Sequence, residues 1–250
     1  MPQPPLISFI IPVLNEEKSL AETISPLKSL NRPDKEIIVA DGGSIDKTPA
    51  IAKELADKVY LRLQGEMNKS IAENRNKGAS LAKGEYLFFI DCGVRIDRLE
   101  EFVKKVIDEM EGKPKHLGLT LEIRFYPEEE SKVDKMHLWV INKTIKGMNK
   151  VKLGMAMGWV QVVRREAFEK IGGYNENLIT QEDVDLFRRL SRIGKTSTLK
   201  GFVAYGSAER YHRDGWARVN SRWFVNWLSY IIRGKSYSKE WKPAGGHEKK

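Results

Sequence analysis

The stretch that most restricts the fold is Glu85-Tyr86-Leu87-Phe88-Phe89-Ile90-Asp91-Cys92-Gly93, in which five apolar residues lead into one aspartate. A short continuous apolar run with aromatic and β-branched members reads as a strand covered on both faces. Lys83-Gly84 stops the segment before it, and Gly93 releases the chain after it. A strand covered on both faces needs helices above and below, which is the layering of a parallel α/β sheet. Asp91 then stands at the carboxyl edge, where open α/β sheets bind ligands. The plainer alternative is an aspartate that caps the following turn.

The rest of the chain supplies the partners such a strand needs. Residues 6–11 read as a first buried strand that Pro12 ends, followed by an amphipathic helix to about residue 30. Residues 36–40 form a second strand. A helix then starts at Asp46 to Pro49, with Asp46 or Thr48 as cap and Pro49 in its first turn. Residues 58–63 make a third strand, and a helix covers about 68–82. After the central strand, Asp97 and Glu100 have the spacing of a capping box for a helix to about residue 110. Residues 115–125 alternate as a half-exposed strand. This alternation of strands and helices predicts a mostly parallel sheet with right-handed crossovers.

Further along, 127–135 reads as a charged loop, 136–148 as a helix, and the Gly/Met-rich 152–158 as a mobile segment. A short strand is expected over 159–163, helices over 165–171 and 182–193, and a last strand over 196–205. Val219, Trp223, Phe224, Trp227, Leu228, Ile231 and Ile232 recur at the spacing of one helix face. The expected division is a domain over 1–215, with halves of about 1–115 and 116–215, and an amphipathic helix with a basic tail over 216–250.

The single cysteine, Cys92, excludes a disulfide framework and fits a reducing compartment. No run of 18 apolar residues and no signal core is present, so a cytoplasmic protein is expected. The net charge of +9 is uneven: residues 195–250 carry twelve Lys/Arg against four Asp/Glu, and the first 194 carry 31 against 30. A basic end of this kind attracts phosphates, nucleic acid or an anionic membrane surface.

Three strand ends carry acid or amide groups: Asn15-Glu16, Asp41 and Asp91. Neither a Gly-x-Gly-x-x-Gly fingerprint nor a Gly-Lys-Ser/Thr loop follows them, so a nucleotide here would be held by side chains. Five segments now form a series. They are Phe9-Ile10-Ile11-Pro12-Val13-Leu14-Asn15-Glu16; Glu36 through Asp41-Gly42-Gly43-Ser44 to Thr48; Arg75-Asn76-Lys77-Gly78-Ala79; Gly84 to Asp91; and Gly172-Gly173-Tyr174-Asn175-Glu176 with Glu182-Asp183-Val184-Asp185-Leu186. In this order and spacing the chain resembles a family 2 glycosyltransferase of the inverting type, over roughly residues 6–194.

The resemblance implies a GT-A fold, a Rossmann-like, mostly parallel mixed sheet flanked by helices. It implies transfer of a sugar from a nucleoside diphosphate sugar, with UDP favoured and GDP the alternative, to an acceptor hydroxyl on a glycan or a lipid-linked carrier. Pro12, Leu14, Asn15 and Glu16 would lie along the nucleotide. Asp41 beside Gly43 would accept from the base, with Asn76, Lys77 and Arg213 as further nucleotide contacts. Asp91 would hold the ribose or the metal–diphosphate unit. Asp183, paired with Glu182, would be the general base for the acceptor hydroxyl.

Each residue also has a plainer reading. Asp41 suits a turn, Glu182-Asp183 suits a helix N-terminus, and Gly172-Gly173 reads as a helix stop.

The chain departs from the family at Asp91-Cys92-Gly93, where the family has Asp-x-Asp and binds Mg²⁺ or Mn²⁺. Asp91 alone would anchor such an ion, with His212 as the candidate further ligand; the alternative for His212 is a surface histidine. Arg95, or Arg210, Arg213 and Arg218, would otherwise neutralise the diphosphate. The C-terminal helix either packs on the domain or lies on a membrane surface, peripheral at the inner face. No nucleic-acid partner is expected. Two rivals are a sugar nucleotidyltransferase, which would need a glycine-rich basic loop after the first strand, and a non-catalytic sugar or lipid recognition module.

Overall fold

The computed structural model describes residues 6–63 and 70–238. Four strands, β1 (Ile7–Val13), β2 (Lys35–Asp41), β3 (Lys58–Leu61) and β4 (Tyr86–Ile90), run parallel in the order β3-β2-β1-β4. The helices between them are α1 (Leu20–Ser29), α2 (Thr48–Leu55) and α3 (Ile71–Leu81). β1 is in register with β2 from Ile7↔Lys35 to Val13↔Asp41, which puts their two tips side by side. Pro12 does not end β1. The pairing of β1 with β4 stops at Ile10↔Phe89, so Pro12 lies where the strand is paired on one side only.

Beyond β4 come β5 (Arg95–Ile96), α4 (Leu99–Gly112), β6 (His116–Phe125), α5 (Lys132–Lys150), β7 (Val160–Arg164), α6 (Arg165–Lys170), α7 (Glu182–Ile193) and β8 (Lys195–Gly206). They complete an eight-stranded sheet, β3-β2-β1-β4-β7-β6-β8-β5. Parallel order is not continuous: β7, later in the chain, inserts antiparallel between β4 and β6. The crossover through α4 leaves a gap beside β4, and the buried Val160, Val162 and Val163 fill it.

The β6 strand is interior rather than half-exposed. Leu119, Leu121, Ile123 and Phe125 are all buried, because α4, α5 and α7 pack against it.

One core layer joins Phe9, Phe88 and Phe102 beneath α1 and α4; the other joins Ile10, Phe89, Phe168, Tyr174 and Phe187 beneath α3 and α7. Two covered faces account for the unbroken apolar runs of the central strands.

Four local expectations change. Asp97 does not cap α4; its Oδ1 accepts from the Val203 N–H of β8 at 2.7 Å, because the short β5 carries it to the sheet edge. The start of the 68–82 helix falls partly outside the described residues, and α3 begins at Ile71 with Ser70 as its cap. α5 begins inside the expected loop, with Ser131 and Asp134 forming a capping box. Residues 152–158 are held down by Asn149, which donates to the Met155 carbonyl at 2.7 Å and accepts from the Met155 N–H.

After β8 the chain forms α8 (Glu209–Asp214) and α9 (Trp216–Arg233). α9 docks on α7: the Tyr230 hydroxyl donates to Asp185 Oδ1 at 2.9 Å, and Thr180 donates to Asn226 Oδ1 at 2.9 Å. The packing alternative therefore holds for one face of α9.

Candidate active site

α3 places the decisive side chain. Gly78 lets this helix lie on β1; a Cβ there would stand 2.5 Å from Ile10 Cγ2. At that distance the stripe Ala72–Arg75–Ala79 faces the sheet, and Arg75 is driven under the strand tips with 1% exposure. A guanidinium cannot be buried unpaired. Arg75 Nη2 donates to Asp91 Oδ1 at 2.7 Å and to the Gly158 carbonyl at 3.2 Å, and Nη1 donates to Glu182 Oε1 at 2.9 Å. Its Cζ lies 5.3 Å from the centre of the Tyr174 ring. One arginine thus ties the tip of β4, the loop before β7 and the start of α7.

Glu182 and Asp183 open α7 and are both buried. Asp183 Oδ1 accepts from the Val184 N–H at 2.8 Å. Burial, with the neighbouring Glu182 charge added, pushes Asp183 up to about 8. Burial also raises Glu182, against the pull of Arg75. Gly158 keeps open the space between these groups. A Cβ on it would meet Arg75 Nη2 at 2.8 Å and would lie 3.6 Å from both Asp91 Oδ2 and Asp183 Oδ2. Asp91 Oδ2 and Asp183 Oδ2 therefore both border the small space beside Gly158.

That space opens into a cleft of about 180 Å³. Pro12, Leu14 and Glu16 wall it on the β1 side, and Trp159, Arg210, Tyr211 and Trp223 on the other. A second cavity, about 580 Å³, meets the first at Glu16, Asp91, Cys92 and Trp159 and runs out past Asn15, Glu22 and Arg95. Burial raises Glu16, and Asp91 adds to the effect.

Several expected residues stand elsewhere. Asp41 is 1% exposed, and its Oδ1 accepts from the backbone of Gly43 and Ser44 and from Ser44 Oγ. Ser44 Oγ in turn accepts from the Asn15 N–H at 2.8 Å, and Asn15 Oδ1 accepts from Ile45 N–H at 2.9 Å. Asp41 and Asn15 together fasten the β1 tip to the β2 tip. Asn76 brackets the Tyr174 backbone and donates to Glu176, and Lys77 lies on the outside over Tyr60. Neither lines the two cavities, because the inward position of that motif belongs to Arg75.

Arg213 bonds Asp214 on the outer side of α8, while Arg210 of the same helix lines the cleft. Arg95 stacks on Tyr126 at 4.3 Å. His212 does not reach Asp91; its Nε2 is 2.9 Å from Asp134 Oδ2, since α8 turns it toward α5.

The donor set for a divalent cation is accordingly narrow. Among the described residues, no group of three His, Cys, Asp or Glu side chains is arranged around a common point. Burial pushes the Cys92 thiol up to about 12, so it is protonated and no ligand for a hard ion. Asp91 Oδ2 is the oxygen left facing the cleft, which suits Mg²⁺ or Mn²⁺ only in the mode where substrate phosphates complete the shell.

Sequence reasoning passed over Arg75, Gly158 and the aromatic wall of Trp159 and Trp223. For Arg75 a signal existed: a single charge on an otherwise small-residue helix face.

The family model for glycosyl transferase family 2 matches residues 8–172. Over 183 residues the chain is 26% identical to the poly-β-1,6-N-acetyl-D-glucosamine synthase of Staphylococcus epidermidis, covering 70% of this chain and 43% of that protein. It is 30% identical over 198 residues to the β-monoglucosyldiacylglycerol synthase of Nostoc sp., covering 74% and 41%. The chain thus spans under half the length of these relatives.

Among solved structures, the mannosyltransferase PcManGT of Pyrobaculum calidifontis, in complex with GDP-Man and Mn²⁺, superposes with a TM-score of 0.71 at 16% identity, over 93% of this chain and 65% of that one. S. aureus TarS in complex with UDP-GlcNAc gives 0.61 at 17% identity, over 80% and 58%. These structural likenesses establish a shared fold, the GT-A arrangement.

Proposed function

This chain belongs to glycosyl transferase family 2, and from that premise we propose that it moves a sugar from a nucleoside diphosphate sugar to an acceptor hydroxyl with inversion. The carrying observation is that Asp91 Oδ2 and Asp183 Oδ2 both border the space beside Gly158, in one cleft. The diphosphate sits on the Asp91 side and the acceptor on the Asp183 side, with the anomeric carbon between them. Asp183, in its ionised form, takes the acceptor proton as the new C–O bond forms, and the old bond's electron pair leaves with the diphosphate. Glu182, bound to Arg75, orients the start of α7. A divalent cation held by Asp91 and the diphosphate oxygens would supply charge neutralisation to the leaving group; Arg210 supplies a further positive charge in the cleft.

Residues up to about 115 form the donor half on this reading, and the base lies beside the strap made by Asn15, Asp41 and Gly43. UDP remains the favoured nucleotide, as in the TarS complex, and GDP the alternative, as in PcManGT. The acceptor enters along Trp159, Tyr211 and Trp223, whose flat apolar faces suit a sugar ring or a lipid-linked carrier. Contact with a membrane belongs to the same reading. No helix among the described residues is long and apolar enough to cross one.

Calorimetry with UDP and GDP, followed by release assays with their hexose conjugates, tests the proposal. One nucleotide class should bind, and Asp183→Asn should keep that affinity while release slows by about 10²–10⁴-fold. Failure of both nucleotides to bind would end the reading; near wild-type turnover in Asp183→Asn would remove the base.

A further inference from the structure

α9 carries two apolar faces rather than one. At about 100° per residue, Val219, Trp223, Trp227 and Tyr230 point inward, and they pack on the domain. Phe224, Val225, Leu228, Ile231 and Ile232 point to the opposite side and are exposed, Phe224 at 60% and Ile232 at 70%. Side chains of this kind normally avoid water unless something covers them.

The charge beside this outer face has one sign. Arg218, Arg222, Arg233 and Lys235 lie within or just after the helix, and no acid occurs from Trp216 to Ser238. The nearest acid before the helix, Asp214, is paired with Arg213.

A groove of about 590 Å³ runs along the same side. Arg218, Ser221, Arg222, Val225, Tyr237 and Ser238 line it. Its far wall is fixed, because Asn226 Oδ1 accepts from the Tyr237 and Ser238 N–H groups at 3.1 and 2.9 Å. Two guanidinium groups and three hydroxyls in a groove beside the exposed apolar face match a phosphate whose other end is hydrocarbon.

We infer that the outer face of α9 docks on an anionic phospholipid bilayer, with a lipid phosphate in the Arg218–Arg222 groove and Phe224, Leu228 and Ile232 in the acyl boundary. Trp223, on the inward face of the same helix, lines the catalytic cleft, so docking would hold that cleft close to the bilayer.

Vesicle flotation of the full chain tests this directly. Phosphatidylcholine vesicles carrying phosphatidylglycerol should float the protein, and pure phosphatidylcholine or raised salt should release it. Arg218→Gln with Arg222→Gln should weaken binding on the order of thirtyfold, at roughly 1 kcal/mol per cation. Phe224→Ser with Ile232→Ser should weaken it at least as much, without changing calorimetric affinity for UDP or GDP. Glycerol phosphate in solution should not compete, since a free headgroup lacks the acyl contribution.

Equal binding to neutral and anionic vesicles would overturn the inference. So would full binding by either double variant. A dimer broken by Phe224→Ser with Ile232→Ser, in a protein that ignores vesicles, would assign the face to a second copy instead. Flotation needs no donor, so its failure and the failure of nucleotide binding are separate results.

Discussion

Arg75 and Arg222 are the same residue on two helices, and their surroundings set opposite rules. Arg75 is enclosed beneath the strand tips, bonded to two carboxylates and a carbonyl. Arg222 lies in an open groove on the outside of α9. Burial makes a charge dependent on its partners, because water is no longer there to replace them. Exposure leaves a charge free to act on something outside the molecule at little cost to the fold. The interior cleft should therefore be brittle to single substitutions and the outer face of α9 tolerant of them.

The largest expected effect is Arg75→Met, which strands Asp91 and Glu182 without their cation. A loss of about 3–5 kcal/mol is expected, measured by urea unfolding, and Glu182→Gln in the same background should recover part of it. A cost no larger than that of Arg222→Met would break the comparison.

Asp134→Ala comes next, because this residue ties α5 to α8 and to the start of α9. It caps α5 through Ser131, and it accepts from Trp216 Nε1 at 2.6 Å and meets His212 Nε2 at 2.9 Å. Burial alone would raise its pKa, but the bonds from Ser131, His212 and Trp216 hold it well below the usual carboxylate range. A loss of about 1.5–3 kcal/mol is expected at neutral pH. A depressed pKa stabilises above the unfolded value of about 3.9 and is lost as pH falls below it. The gap between parent and variant should therefore close in acid; a gap independent of pH would assign the effect to packing.

Asp183→Asn should do the reverse. Its raised pKa means that the folded chain holds a proton the unfolded chain gives up, so stability falls as pH rises from about 4 toward 8. The amide removes that penalty, and the variant should be more stable than the parent above pH 8, by about 1–3 kcal/mol. Thermal melts across pH would show it. Equal melting temperatures at every pH would mean that the carboxylate is not held at a cost.

The smallest effect is expected outside. Phe224→Ser or Arg222→Gln should change stability by no more than about 0.5 kcal/mol. A larger loss in either would show that the outer face supports the fold and would blunt the contrast.

Legibility followed the range of the signal. The buried runs of β1, β2 and β4 were plain because each apolar run lies within a few residues, and α7 was found end to end from Glu182 to Ile193. Asp91, Glu182 and Asp183 were picked out, and the structure brings them into one cleft. His212 was chosen as the late histidine that the family resemblance implies as a metal ligand, and Arg213 as an arginine beside it; α8 turns His212 to Asp134 and Arg213 to Asp214. Asn76 and Lys77, one and two residues after Arg75 in the same motif, line neither cavity. At about 100° per residue that offset moves a side chain from the cleft to the outer side of α3.

By itself the sequence determined the long strands, the covered character of β1, β2 and β4 and the acid groups at their tips, because hydrophobic period and turn chemistry act over a few residues. Tertiary structure decided the rest. It slid β7 between β4 and β6, gave α9 an inner and an outer face, and brought Arg75 to Glu182 across a separation of 107 residues. That last contact depends on how closely Gly78 lets α3 approach β1, a distance in space that no local pattern of residues encodes.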